Sequence, residues 1–266
     1  VKGLLKNVRR VISDRALYKD VDFILAIGSK SAEWYGACGV ASNKIFSFPY
    51  VVDNTSEIKG RVCMNGSYKI IFVGALIKRK NVAHLLYSLS KVTSIAWSLE
   101  IVGDGPERKS LDVYAKTLGI RENIKFIGVI DNKNVRDYIS EHDLLVLPSR
   151  WDGWGAVINE SISAGVPVIC SDQCGAKELI VSGKNGDIFQ LANSKSLYQL
   201  LQKFMDRGPI DNETRTKIKL YSESISGKSI AQYLVDILNY TLTTSGDKQQ
   251  PVLPWKNSIH VLNKLV

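Results

Sequence analysis

The residues best suited to chemistry gather in one stretch, "LPSRWDGWGAVINESISAGVPVI", at residues 147–169. It carries two carboxylates eight positions apart, Asp152 and Glu160, around Gly153, Trp154 and Gly155. Glycine lets a backbone approach a ligand closely, and a helix starting after it aims its N-terminal dipole at the same place. One acid stands before that helix and the other about two turns into it, so both can reach a ligand lying along a crevice. The plainer alternatives are a helix-entry carboxylate for Asp152 and a solvated helix residue for Glu160.

Three other loops share this form, an apolar run ending in glycine. In "FVGALIKRKN", Gly74 is followed by Lys78, Arg79 and Lys80 just before a helical pattern, where ammonium and backbone N–H groups can jointly hold phosphate oxygens. In "IVGDGPER", Gly103 and Gly105 allow a tight turn, which an ordinary strand-to-helix connection would show as well. "FIGVIDNKNV" offers backbone groups and Ile127 beside a glycine, and can border a flat ring.

For these loops to converge, the elements that carry them must lie side by side. The runs "KIIFVG", "SLEIVG", "NIKFIG", "DLLVLP", "PVICSD" and "GDIF" alternate with segments of helical period. That alternation predicts an α/β fold with a doubly wound parallel sheet at residues 69–225, its strands covered on both faces. Ligands of such sheets bind at the carboxyl ends of the strands, where the four loops fall. Upstream, "VDFILAIG" reads as a strand, "SKSAEWYGACG" as a helix opened by a Ser cap, and "NKIFSFPYVVD" as a short strand, making residues 1–52 a remnant of another layer. The polar stretch 53–68 reads as a linker between domains. Residues 211–243 read as helical, and 226–266 as a C-terminal helix and tail.

The 266-residue chain is 45% hydrophobic, enough to bury a full core. No apolar run reaches 18 residues and the N-terminus is charged throughout, so no membrane span or signal peptide is expected. The chain does not begin with Met, which fits a piece of a longer protein and equally a processed terminus. Cys38, Cys63, Cys170 and Cys174 are scattered, and His84, His142 and His260 sit in unrelated segments, so no metal-ligand spacing results. Reduced cysteines suit a cytoplasmic protein. The net charge of +9 includes Lys2, Lys6, Arg9, Arg10, Arg15 and Lys19 near the start. Phosphorylated small molecules or an anionic membrane surface fit this charge, as does a merely solvated basic face. No recognition-helix, RNP or zinc-finger pattern points to nucleic acid.

With these pieces in place, "LPSRWDGWGAVINESISAGVPVICSDQCGAKELI" resembles the signature region of the retaining glycosyltransferases of family 4, which have the GT-B fold. "VGALIKRKN", "VGDGPER" and "KFIGVID" resemble that family's phosphate loop, glycine turn and base-side loop, in the same order. The resemblance runs from about residue 21 to 240. It implies a Rossmann-like C-terminal half that binds a nucleotide-diphosphate sugar, with most of the N-terminal, acceptor-side domain missing and a separate chain able to supply it. It implies that Glu160 binds ribose, Lys80 the diphosphate, Asp152 the transferred sugar, and the backbone of Gly153, Trp154 and Gly155 the sugar and phosphate region. Two positions depart from the usual pattern. The first acid is ordinarily Glu and here is Asp152, and the Arg that ordinarily follows the strand-end glycine is Ala75, leaving Arg79 to supply the charge.

The chemistry implied is stabilisation of a leaving diphosphate by cations and backbone dipoles, without metal or cofactor and with retention at the anomeric carbon. The acceptor would be a glycan or a lipid-linked glycan of a cell surface, assembled at the cytoplasmic face of the membrane. A non-catalytic sugar-nucleotide-binding subunit is the competing reading. An epimerase or dinucleotide oxidoreductase fits less well, because no G-x-G-x-x-G follows the first strand of the sheet.

Overall fold

A computed structural model describes residues 18, 20–52, 67–93, 95–193, 195–243 and 249–263. The basic cluster of the first nineteen residues, Cys63 and all but the last two residues of the expected linker lie outside them.

Six strands form one parallel sheet: β3 (Tyr68–Val73), β4 (Trp97–Val102), β5 (Ile124–Gly128), β6 (Leu144–Leu147), β7 (Val168–Ser171) and β8 (Gly186–Phe189). Their order is β5-β4-β3-β6-β7-β8, so the chain winds outward from β3 to β5, returns beside β3 as β6, and winds outward the other way. Every residue of β6 and β7 is buried. Their unbroken "LLVL" and "VICS" are what a strand roofed on both faces requires.

Helices α2 (Val82–Leu89), α3 (Arg108–Thr117) and α6 (Ser196–Asp206) pack together, as do α4 (Asn132–Ser140), α5 (Val157–Ser163) and α7 (Asn212–Ser222). Asp131 and Asp211 cap α4 and α7, accepting from the backbone N–H of Lys133 and Thr214. The point where the winding reverses is the junction of β3 and β6, and it fixes where a ligand crevice must open.

A smaller parallel pair, β1 (Ile24–Ala26) and β2 (Ile45–Ser47), flanks α1 (Ser29–Ala37). Gly28 occupies the N-cap of α1 with no side-chain cap, where the sequence suggested a serine; the helix takes Ser29 as its first residue instead. The helical stretch 211–243 is two helices. A 3-10 turn at Glu223–Ile225 breaks it, and Ser226 then caps α8 (Gly227–Leu242) through the Ser229 N–H. The corner turns α8 back onto β1 and β2, where Tyr233 and Ile237 bury Phe46. Two short helices, α9 (Pro254–Asn257) and α10 (Ile259–Asn263), finish the described chain, and Trp255 joins the main core. Among the described residues no helix is long and apolar enough to cross a membrane.

Candidate functional site

At the β3–β6 junction the structure brings together the loop after β3 and the loop after β6. A 3-10 turn at Lys78–Lys80 directs Lys80 inward, where its Nζ donates to Asp152 Oδ2 at 2.7 Å. Both side chains are little exposed, at 13% and 11%. Ser149 Oγ donates to the same carboxylate oxygen at 3.3 Å, and Arg79 lies 3.5 Å from the other. Asp152 is thereby fixed by one hydroxyl and two cations. Arg79 also donates to the Trp151 carbonyl at 2.9 Å, and its guanidinium stands 5.5 Å over the Trp151 ring.

Backbone contacts stitch these loops to their neighbours. The Arg150 N–H donates to the Arg79 carbonyl, and Asn81, in a left-handed conformation that Asn tolerates, bridges Pro148 and Arg150 with its side-chain amide. On the other side, the N–H of Asp152 donates to the Gln173 carbonyl and that of Gly175 to the Asp152 carbonyl, which ties the turn to the loop after β7. Gly175 has no room for a side chain, since a Cβ there would lie 2.0 Å from the Gly153 oxygen.

The glycine loops pack next to the cations. Lys80 lies over Gly74, its Cε 3.4 Å from where a Cβ would stand. Gly103, at φ +121°, presses on the Gly74 carbonyl so closely that a Cβ would come within 2.1 Å of it, and its N–H donates to the Gly128 carbonyl. Gly105 abuts Leu76, and Ile127 is half-buried near the end of β5, so the carboxyl ends of β3, β4 and β5 form one continuous rim.

Two features of the turn stand out, and the second, the start of the helix, differs from the sequence expectation. The Trp154 indole points into the core, 2% exposed, with its Nε1 donating to Asn159 Oδ1 at 2.8 Å and the Asn159 amide donating to the Tyr50 carbonyl. Only its backbone is left for a ligand. Glu160 lies in the first turn of α5 rather than two turns in, because the chain stays non-helical through Gly155, at φ +93°, and the helix begins only at Val157. Among the described residues nothing pairs with the Glu160 carboxylate, and partial burial raises its pKa. Such a carboxylate is ready to accept hydroxyl donors.

Sequence reasoning missed Trp151, which is 53% exposed and borders Asp152, and it missed the support of Trp154 by Asn159 and Tyr50. The two tryptophans flanking the turn were visible; which of them faces water was not. A cavity of about 510 Å³ opens on the α2 side, lined by Asn81, Ala83, His84, Tyr87, Tyr114, Arg150, Leu191 and Ala192. It shares Asn81 and Arg150 with the stitched loops but contains neither Lys80, Asp152 nor Glu160. The Lys80–Asp152 ion pair therefore marks the candidate site better than cavity size does. It suits an anion beside Lys80 and a polyol beside Asp152.

Known proteins resemble this chain in sequence and in fold. The family model for glycosyl transferases group 1 matches residues 53–224. An uncharacterized 41.2 kDa protein of the cps region of Klebsiella pneumoniae is 28% identical over 200 residues, spanning 71% of this chain and 53% of its own. A Campylobacter jejuni protein, N-acetylgalactosamine-N,N'-diacetylbacillosaminyl-diphospho-undecaprenol 4-alpha-N-acetylgalactosaminyltransferase, is 27% identical over 174 residues, or 65% of this chain and 46% of its own. The chain thus spans about half the length of these curated relatives. Among solved structures, the apo lipopolysaccharide outer core galactosyltransferase WaaB superposes with a TM-score of 0.75 at 23% identity, covering 83% of this chain and 62% of that one. This likeness is one of fold: the sheet is the Rossmann-like C-terminal half of a GT-B molecule.

Proposed function

The chain belongs to the group 1 glycosyl transferases, and from that premise we propose that its crevice binds a nucleoside diphosphate sugar and transfers the sugar, with retention, to a glycan or lipid-linked acceptor of a cell surface. The observation that carries this reading is the Lys80–Asp152 pair at the point where the strand order reverses. A cation there meets the diphosphate, and the carboxylate beside it meets sugar hydroxyls.

Cleaving the bond between sugar and diphosphate builds negative charge on the departing phosphate and positive character on the anomeric carbon. Lys80 gains most from the first of these, so it stabilises the transition state more than the bound donor. Asp152, held by Ser149 and Arg79, orients the sugar without needing to become a nucleophile. Glu160 accepts from the ribose, Ile127 borders the base, and the backbone at Gly103, Gly105 and Gly153–Gly155 lets the ligand lie close to the rim.

The Klebsiella and Campylobacter relatives support the surface-glycan context, and the undecaprenol in the second name supports a lipid-linked acceptor. The test is a calorimetric screen of UDP-, GDP- and ADP-sugars against the chain, with and without EDTA. Tight binding of one base class that survives the chelator is expected; no binding of any would contradict the proposal. The competing reading is a sugar-nucleotide-binding unit that works with a separate acceptor-binding chain. Transfer measured with and without such a chain separates the two.

A further inference from the structure

Trp151 is assigned no role by the reading above, although it touches the same loops. More than half of its surface is open, and tryptophan has more apolar area to gain from burial than any other side chain. Exposure by itself carries little, since single exposed apolar residues are common. What separates Trp151 is how firmly it is held. Arg79 stacks over the ring at 5.5 Å and grips the residue's own carbonyl at 2.9 Å, and the far edge of the indole lies beside Gly153. The same Arg79 reaches the Asp152 carboxylate at 3.5 Å. One guanidinium therefore sets both the ring and the acid. Trp34, the other exposed tryptophan among the described residues, packs edge-on against Tyr18 and Tyr35.

We propose that Trp151 is a platform on which a pyranose ring stacks at the mouth of the crevice, with Arg79 as the residue that positions it. A pyranose presents a patch of C–H bonds on one face and hydroxyls around its edge. The C–H patch carries slight positive charge and meets the electron-rich face of an indole, while the edge hydroxyls find Asp152 next to it in the chain. The ring stacked there is either the sugar being transferred or the terminal sugar of the acceptor, and the chemistry is the same for both. This inference rests on the nucleotide-sugar reading and adds a specificity residue to it.

The test follows the indole N–H resonance of Trp151 in the full chain with isotope-labelled tryptophan, assigned by its loss in Trp151→Phe. UDP and GDP are added first, then UDP-glucose and GDP-mannose, then methyl α-glucopyranoside on the nucleotide-loaded protein. A shift with a nucleotide sugar beyond that with its nucleotide identifies the donor's ring; a shift only on adding the glucoside identifies the acceptor's. In either case Trp151→Ala should weaken that saccharide roughly tenfold, leave the free nucleotide unchanged, and be largely rescued by Phe, which keeps an aromatic face. If nucleotides bind and no saccharide moves the resonance, or if Phe and Ala behave alike, the platform is refuted while the nucleotide-sugar reading stands. If neither nucleotide nor nucleotide sugar binds, that reading fails and the platform fails with it.

Discussion

Lys80 and Asp152 are in contact, so in the free protein the carboxylate occupies the cation that the diphosphate is proposed to use. Asp152→Asn should therefore leave affinity for a nucleoside diphosphate undiminished while weakening the sugar derivative by more than tenfold, since a hydrogen bond to a charged group contributes about 1.5–3 kcal/mol. Calorimetry with UDP and UDP-sugar, or the guanine pair, reads both. Equal losses would put Asp152 on the nucleotide. Glu160 gives a pH signature. Its carboxylate binds ribose hydroxyls best when ionised, and burial makes it take up a proton at a higher pH than an ordinary carboxylate. Nucleoside affinity should fall as pH is lowered through that raised value, and Glu160→Gln should flatten the profile; an unchanged profile in the variant would remove Glu160 from the ribose. At this scale the meeting of Lys80 with Asp152 was legible because loops at adjacent strand ends must converge. The roles of the two tryptophans were not. Burial of Trp154 depends on Asn159 and Tyr50, and Tyr50 lies more than a hundred residues upstream of the turn.

The elements that place these residues are short loops held to each other by backbone hydrogen bonds. The contact of the 151–154 turn with the loop after β7 leaves no space at Gly175. Gly175→Ala must push the Gly153 carbonyl away, which should cost about 1–3 kcal/mol of stability and weaken sugar-nucleotide binding together, as read by urea melts and calorimetry. Loss of stability with binding intact would show that the turn does not need this contact. The six strands could be read from sequence because sheets roofed on both faces need unbroken apolar runs. The start of α5 could not, since only the backbone conformation at Gly155 delays it to Val157. The C-terminal helix expected from residue 226 begins there, capped by Ser226, but the 3-10 turn at Glu223–Ile225 that sets its corner carries no signal in a stretch that is helical in composition.

Across the whole molecule, the β1–β2 unit is seated on the large sheet domain partly through Glu178. Its Oε2 accepts from Ser47 of β2 at 3.4 Å, while its Oε1 is buried without a partner among the described residues. Lys177, Lys256, Tyr221 and Tyr233 surround it, and burial lifts its pKa from 4.5 to about 7. An acid raised in this way keeps its proton in the fold after the unfolded chain has released it. Stability should then decline as pH rises from 4.5 to about 7, by up to about 3 kcal/mol, and stay level above. Subtracting the urea-melt profile of Glu178→Gln from that of the native chain isolates this slope, and a flat difference would contradict it. The central claim concerns the neighbouring loops of the same domain, where Lys80, paired with Asp152, is proposed to neutralise a diphosphate. Its most direct measurement is calorimetric titration of the native chain and Lys80→Ala with UDP and uridine, and with GDP and guanosine. The variant should lose more than tenfold in affinity for the diphosphate of the preferred base and almost nothing for its nucleoside, because only the former carries the charge that Lys80 meets. Equal losses for diphosphate and nucleoside, or none for either, would contradict it.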